Sequence, residues 1–250
     1  MPVEEKATAE FAGIVPSDLG GEILEDSQVD QLLARLDSLL NSPETTRDAR
    51  RRASRYLQGF RWWLEKGRVT AEQSRRISTY LAEAGTEHEE AADVIDRQRQ
   101  LFETLTPGQV ARNIVGTDTE GVEFELNDYR GNIVVLIFTG DWCGPCHGEY
   151  PYQRSMLDLY RDHSVVLLGV NSDSRLRTVR EAKQREGLSY RTWWDGGTDG
   201  PIAAGWNVRT WPSTFILDAE GVIRFVDKRK NGMILAVDQL LEEERAGAGK

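Results

Sequence analysis

Residues 133–146 read IVVLIFTGDWCGPC, and this stretch sets the architecture of the second half of the chain. Residues 133–138 form an almost unbroken apolar run, which is typical of a central strand covered on both faces. A short loop and two cysteines follow, with a proline between them at Pro145. Because proline is tolerated only in the first turn of a helix, the pattern predicts a buried strand leading into a helix whose first turn holds both cysteines.

Cys143 and Cys146 are the two cysteines of the 250-residue chain, and only two residues separate them. A disulfide across so short a loop stabilises little by chain entropy, so the pair is expected to be reactive rather than structural. At a helix start, unpaired N–H groups and the helix dipole favour the thiolate of Cys143, the species that attacks a disulfide. Cys146 then lies in reach to resolve the mixed disulfide.

The rest of the second half predicts a mixed sheet with helices on both faces. Alternating or unbroken apolar segments predict strands, and amphipathic or charged stretches predict helices. The expected strands are residues 122–126, 133–138, 165–170, 213–217 and 222–226, and the expected helices run from the cysteines to about residue 161, from 173 to 187 and from 233 to 244. The connection through residues 190–194 stays open.

The first half predicts four helices joined by short loops, as an antiparallel bundle or as two helical hairpins. An apolar stripe marks the first helix at Val29, Leu32, Leu33, Leu36, Leu39 and Leu40. Further starts are predicted at Ser42-Pro43-Glu44 and at two sequences with the form of a capping box, Thr70–Gln73 and Thr86–Glu89. We expect a flexible segment at 1–24, a helical bundle at 25–105 without chemistry of its own, and an α/β domain at 107–246.

Charge and hydropathy exclude several classes of partner. The net charge is −10 and the sequence pI is near 5.0, which argues against nucleic-acid and anionic-membrane surfaces. A local basic run at residues 47–55 is interpreted as a solvated helix face. No stretch has the ~20 apolar residues of a membrane helix, and the acidic N-terminus lacks the apolar region of a secretory signal. The chain is thus expected to be cytoplasmic, or periplasmic if an export segment is missing.

Residues 107–245 resemble the thioredoxin superfamily, and specifically its TlpA/ResA-type thiol-disulfide oxidoreductases. The resemblance is carried by Trp142-Cys143-Gly144-Pro145-Cys146, by the segment Arg209-Thr210-Trp211-Pro212-Ser213, and by a hairpin-like pattern over residues 116–131. It implies a thioredoxin-like three-layer α/β/α fold with a mixed central sheet, preceded by the all-α region. It also implies that Pro212 is the family's cis-proline and lies opposite the cysteines.

The same resemblance implies further site residues. Substrate contacts are expected from Trp142, Gly144, Pro145, Trp211 and Pro212. A glutamate three residues after the second cysteine assists proton transfer in the ResA-like branch, which makes Glu149 a candidate for a partly buried proton carrier; a surface helix glutamate is the alternative. Ordinary thioredoxins carry a buried aspartate where this chain has Ile137, and its absence raises the weight of Glu149.

The function predicted is exchange of the Cys143–Cys146 dithiol/disulfide with protein disulfides, as a reductant, supplied by an electron donor that the sequence does not identify. No cofactor is expected. His147 with the two cysteines makes three ligands where structural zinc needs four, so no metal is expected. Two alternatives stay open. One is a thiol peroxidase of the AhpC/TSA type, although residues Thr139-Gly140-Asp141-Trp142 do not fit the P-x-x-x-T-x-x-C spacing of that class. The other is a redox-linked interaction module. Aromatic residues at Trp193, Trp194 and Trp206 are expected either in the core or along a substrate groove.

Overall fold

The computed structural model describes residues 23–41, 56–57 and 69–248. The chain divides into two compact units, Met1–Gln109 and Val110–Lys250. The predicted flexible segment up to residue 22, the helix start at Ser42 and the basic run of residues 47–55 lie outside the described residues. Among the helices that are described, none is long and apolar enough to cross a bilayer.

The first unit is helical, as predicted. It contains α1 (Asp26–Leu40), α2 (Ala71–Glu87), a 3₁₀ turn (Glu89–Ala91) and α3 (Ala92–Thr104). The predicted apolar stripe of α1 is buried at Val29, Leu32, Leu36 and Leu40, in one core with residues of α2 and α3 such as Leu81 and Ile95. Tyr56 and Leu57 are helical and buried in the same core.

Of the two predicted capping boxes, the first is confirmed and the second is wrong. The Thr70 hydroxyl accepts a hydrogen bond from Gln73 N at 3.1 Å, and the Gln73 side chain accepts one from Thr70 N at 3.0 Å. Thr86 lies inside the last turn of α2, where its hydroxyl donates to the carbonyl of Glu83. The helix continues past Gly85 to Glu87, and the Thr86 side chain bonds back to its own helix instead of capping the next one.

The second unit begins with a hairpin of β1 (Val115–Thr117) and β2 (Glu123–Glu125), followed by a 3₁₀ turn (Leu126–Tyr129). The central sheet has the order β5-β4-β3-β6-β7. Its strands are β3 (Ile133–Thr139), β4 (Val165–Asn171), β5 (Arg191–Trp194), β6 (Ser213–Leu217) and β7 (Ile223–Val226). The predicted apolar run is the middle strand, and the open segment at 190–194 is the edge strand β5.

The sheet is mixed, as predicted. Strand β3 pairs in parallel with β4 and β4 in parallel with β5, whereas β6 runs antiparallel to both β3 and β7. Every residue of β3 is buried. The C-terminal ends of β3, β4 and β7 and the N-terminal end of β6 therefore meet at one edge of the sheet.

Five helices accompany the sheet: α4 (Gly144–His147), α5 (Tyr150–Leu159), α6 (Leu176–Glu186), α7 (Pro201–Gly205) and α8 (Asn231–Ala248). On one face, alternate residues of β3 share an apolar cluster with Met156 of α5 and Val237 of α8. On the other face, the Phe138 ring lies 5.9 Å from the ring of Trp206, which follows α7. Helices α5 and α8 thus cover one face, and the segment that follows α7 packs on the other.

The single helix expected from the cysteines to about residue 161 is wrong, because it is two helices. Helix α4 ends at His147 and α5 begins at Tyr150. Pro151 explains the break: in one continuous helix it would lack the N–H that bonds to the carbonyl of His147, and its ring would clash with that carbonyl. Cys146 consequently lies in a helix of four residues, and Cys143 immediately precedes that helix.

Two of the three predicted aromatic candidates belong to the core. Trp193 is fully buried and stacks on Phe124, with ring centroids 3.9 Å apart. Trp206 is buried against Phe138 and Phe215. Trp194 remains partly exposed and donates its indole N–H to the carbonyl of Asp173 at 2.7 Å.

The two capping-box sequences give a matched pair of variants. Thr70→Ala removes the side-chain acceptor at the start of α2 and should cost about 1 kcal/mol in the free energy of unfolding, a fall in melting temperature of about 4–8 °C for a unit of this size. Thr86→Ala removes no cap and should change the free energy of unfolding by less than about 0.5 kcal/mol. Thermal unfolding followed by circular dichroism at 222 nm measures both, and equal losses would contradict the corrected helix boundary.

Candidate active site at the end of the central strand

The redox pair lies where β3 gives way to α4. Cys143 is the N-cap residue of α4, and its Sγ is bonded to the Sγ of Cys146, with the two Cα atoms 5.3 Å apart. The backbone N–H of Cys146 points at Cys143 Sγ over 3.2 Å. Both residues are almost entirely buried. In the reduced protein, an N–H aimed at this sulfur would stabilise a thiolate there, because hydrogen bonding to the charged form favours it.

The residues between and around the cysteines are accessible. Gly144 and Pro145 are exposed, and Trp142, immediately before the pair, is 53 % exposed. This is unusual for a side chain of its size, which is normally well buried. Together they form the outward face of the motif and the side from which a partner can approach.

Ser172, the residue that follows β4, holds the Trp142 side chain in place. Trp142 donates its indole N–H to the carbonyl of Ser172 at 3.3 Å, and Trp211 donates its own to the Ser172 hydroxyl at 3.1 Å. The two indole rings meet edge to face with centroids 5.6 Å apart. Ser172 therefore positions both tryptophans, and no sequence pattern predicts this role because the two contacts span 30 and 39 residues.

Gly140 makes the close approach of Trp142 possible. A Cβ atom at position 140 would lie 2.5 Å from Trp142 Nε1 and 3.0 Å from Cδ1 and Cε2 of the same ring. Any larger residue would thus displace the indole. A glycine in a strand-to-helix loop is the one sequence signal that could have identified this position.

Hydrogen bonds with charged residues hold the loop before the cysteines in place. The backbone N–H of Asp141 donates to Asp173 Oδ2 at 2.9 Å, and the Asp141 carboxylate accepts from Arg185 Nη2 at 2.5 Å. His147 Nε2 lies 2.8 Å from the carbonyl oxygen of Asp141. His147, considered as a metal ligand from the sequence, is thus engaged with the loop backbone.

Tyr150 is buried in the same cluster as the redox pair and stays neutral. Burial raises the pKa of its hydroxyl above the ordinary value, and its ring lies 5.2 Å from the ring of His147. Tyr150 also belongs to the apolar cluster that contains both cysteines and Ile137. Where an ordinary thioredoxin has a buried aspartate, this cluster is apolar.

Pro212 lies at the start of β6, on the same sheet edge as the cysteines. The peptide bond between Trp211 and Pro212 is cis. Pro212 is buried, and its carbonyl accepts a hydrogen bond from Arg229 Nη2 at 2.5 Å. The ring contact between Trp211 and Trp142 brings this segment beside the cysteine motif.

Glu149 is buried, with 4 % of its surface exposed, so the surface alternative considered from the sequence is wrong. It lies in the break between α4 and α5, and its backbone N–H donates to the carbonyl of Cys146 at 3.0 Å. Its Oε2 accepts a hydrogen bond from the backbone N–H of Lys230 at 2.7 Å. A buried carboxyl group thus belongs to the residue that follows Cys146 by three positions, at the break between the two helices.

Comparison with known proteins agrees with this geometry. The family model described as the AhpC/TSA family matches residues 107–226. The chain is 34% identical over 117 residues to the thiol-disulfide oxidoreductase ResA of Geobacillus kaustophilus, and 31% identical over 121 residues to ResA of Bacillus thuringiensis subsp. konkukian. These matches cover 47% and 48% of this chain and 66% and 69% of the two relatives.

Solved structures confirm the fold. The thioredoxin domain of a thiol-disulfide oxidoreductase from Bacteroides vulgatus superimposes with a TM-score of 0.51 at 24% identity, over 54% of this chain and 98% of that one. A thiol-disulfide oxidoreductase from Bacteroides fragilis gives 0.50 at 18%, over 53% and 99%. The predicted thioredoxin-like fold of the second unit is therefore confirmed. By its sequence similarity to the ResA proteins, the chain belongs to the ResA family of thiol-disulfide oxidoreductases.

Proposed function

We propose that the chain reduces disulfide bonds of protein substrates, with Cys143 as the attacking thiol and Cys146 as the resolving thiol. The observation that carries the proposal is the bonded Cys143–Cys146 pair at the end of a buried strand, with the N–H of Cys146 directed at Cys143 Sγ. Within the part of the chain that the structure describes, an N–H donor is directed at Cys143 Sγ and none at Cys146 Sγ, which distinguishes the two cysteines. It favours the thiolate of Cys143 in the reduced protein.

The exchange proceeds in two displacements. The Cys143 thiolate attacks one sulfur of the substrate disulfide, forming a mixed disulfide and releasing the other substrate sulfur as a thiolate that takes up a proton. Cys146 then loses its proton and attacks Cys143 Sγ, which re-forms the Cys143–Cys146 disulfide and releases the second substrate thiolate. The substrate gains two electrons and two protons, and the electron donor returns the pair to the dithiol.

Glu149 is proposed to accept the proton that Cys146 loses. Its burial and its position three residues after Cys146 support this role, since an acid–base group must lie within reach of the proton that it accepts. Ile137 leaves no carboxylate at the position used by ordinary thioredoxins. Glu149 is accordingly the acid–base group that we assign to the reaction.

The substrate segment is proposed to dock across Trp142, Gly144, Pro145, Trp211 and Pro212. The exposure of Trp142 and its edge-to-face contact with Trp211 support a docking surface beside the disulfide. The two tryptophans are named here the aromatic lip. Gly-Pro between the cysteines is typical of reducing members of the superfamily, which favours electron flow from this chain to the substrate. An extracytoplasmic site of action is proposed for the chain carrying an export segment, and a cytoplasmic one for the chain without it.

Cys143→Ala tests the proposal directly. The variant removes the attacking sulfur, so the reduction of insulin disulfides by dithiothreitol should fall to the rate without protein, whereas Ser155→Ala, an exposed substitution on α5, should leave the rate unchanged. Turbidity of the precipitating insulin chains measures the rate. Full activity of Cys143→Ala would end the proposal, and rapid peroxide consumption by the wild-type protein would favour the AhpC/TSA-type peroxidase instead.

Ser172→Ala tests the aromatic lip. Loss of the hydroxyl leaves the indole N–H of Trp211 without its acceptor, so we expect KM for a peptide disulfide to rise about 2- to 10-fold, the effect of one hydrogen bond, with kcat unchanged. Ser155→Ala is the matched control, because its hydroxyl bonds only to its own helix at the carbonyl of Pro151. An unchanged KM in a folded Ser172→Ala protein would show that Trp211 does not depend on this bond to receive substrate.

A further inference from the structure

One loop contacts two of the proposed site residues from neighbouring positions. Residues 227–230, between β7 and α8, are named here the 227–230 loop. Within it, Arg229 Nη2 donates to the carbonyl of Pro212 at 2.5 Å, and the backbone N–H of Lys230 donates to Glu149 Oε2 at 2.7 Å. Pro212 belongs to the proposed docking segment and Glu149 to the proposed proton transfer. The loop therefore joins the two parts of the site.

The conformation of the loop is held by specific contacts. Asp227 and Lys230 have φ values of +54° and +51°, in the left-handed region that non-glycine residues seldom adopt. The backbone N–H of Asp227 donates to the carbonyl of Thr214 at 2.7 Å, and the Asp227 carboxylate accepts from Arg229 Nε at 3.1 Å and Nη2 at 2.8 Å. Backbone conformations of this kind persist where the surroundings determine them.

Arg229 is well suited to fix the carbonyl of Pro212. Its guanidinium presents several N–H groups in one plane, so the same side chain bonds both the Asp227 carboxylate and the Pro212 carbonyl. A hydrogen bond from a charged donor is stronger than a neutral one. The Arg229 side chain is 33% exposed, whereas Pro212 and Glu149 are buried, so Arg229 links these buried residues to the protein surface.

We propose that the 227–230 loop couples substrate docking at Pro212 to the proton-transfer group Glu149, with Arg229 as the positioning residue. The inference rests on the proposed function and deepens it. A displacement of the Pro212 carbonyl moves the guanidinium bonded to it, and the next residue of the chain carries the N–H that holds the Glu149 carboxylate. Arg229 contacts neither the cysteines nor a substrate sulfur, and it acts through these two residues.

The coupling is measured by a double-mutant cycle on kcat/KM for insulin reduction, using Arg229→Met, Glu149→Gln and the combined variant. Arg229→Met keeps an apolar side-chain stem and removes every donor. We expect kcat/KM to fall about tenfold in each single variant, because one loses a charged hydrogen bond and the other a proton carrier. In the combined variant, kcat/KM should fall about tenfold to twentyfold. A combined loss of about a hundredfold, the product of the two, means independent action and overturns the coupling.

A second arm separates positioning from packing. Arg229→Lys retains a charged donor for the Pro212 carbonyl, so it should stay within about threefold of the wild-type kcat/KM, whereas Arg229→Met raises KM more than it lowers kcat. Equal losses in the two variants would assign Arg229 a packing role and overturn the proposal. If Arg229→Met does not fold, Arg229→Gln takes its place in the cycle under the same criteria.

Arg224→Met is the matched control. Arg224 lies on the adjoining strand β7 with the same 33% side-chain exposure, yet its guanidinium pairs with Glu243 at 2.7 Å and Asp218 at 3.4 Å. The kcat/KM of the Arg224→Met variant should stay within twofold of the wild-type value. A protein that is active, is inactivated by Cys143→Ala and is unaffected by Arg229→Met would retain the proposed function and lose only this inference.

Discussion

The site depends on one geometric constraint: two sulfurs must remain within bonding reach while the backbone turns from a strand into a helix. The strand supplies a fixed starting point, because every residue of β3 is buried and paired with β4, and residues 134–138 are also paired with β6. The short helix supplies the spacing, placing the two Cα atoms 5.3 Å apart. Pro151 ends that helix after four residues, so the motif is held by its own loops rather than by a long helix.

Sheet topology explains why distant segments converge on the cysteines. Parallel strands β3 and β4 end at the same edge, and the antiparallel strand β6 begins there. Ser172, Trp211 and the 227–230 loop therefore reach the same place from three different parts of the chain. In open α/β sheets the carboxyl ends of parallel strands are the usual location of ligand sites. Here that edge carries aromatic side chains outside and a carboxyl group inside.

Much of this arrangement could be predicted from the sequence. The run at 133–138 and the C-x-x-C spacing are local signals, and they predicted the central strand and the reactive pair. Pro212 came from resemblance to a family motif, since spacing alone does not distinguish it from other prolines. The supporting contacts of Ser172 and Arg229 could not be predicted, because a hydrogen bond between residues 17 or more positions apart leaves no periodicity. The false capping box at Thr86 has a different cause, since its hydroxyl can form either of two local hydrogen bonds and the sequence pattern does not distinguish them.

The central claim is that Cys143 attacks and Cys146 resolves, and trapping of the mixed disulfide tests it most directly. Reduced Cys146→Ser and Cys143→Ser proteins are each mixed with a peptide disulfide, and the adducts are identified by mass spectrometry. The account predicts rapid accumulation of an adduct on Cys143 in the first protein, because nothing remains to release it, and slow or no reaction in the second. Faster capture by Cys146 in the Cys143→Ser protein would reverse the two roles and contradict the account.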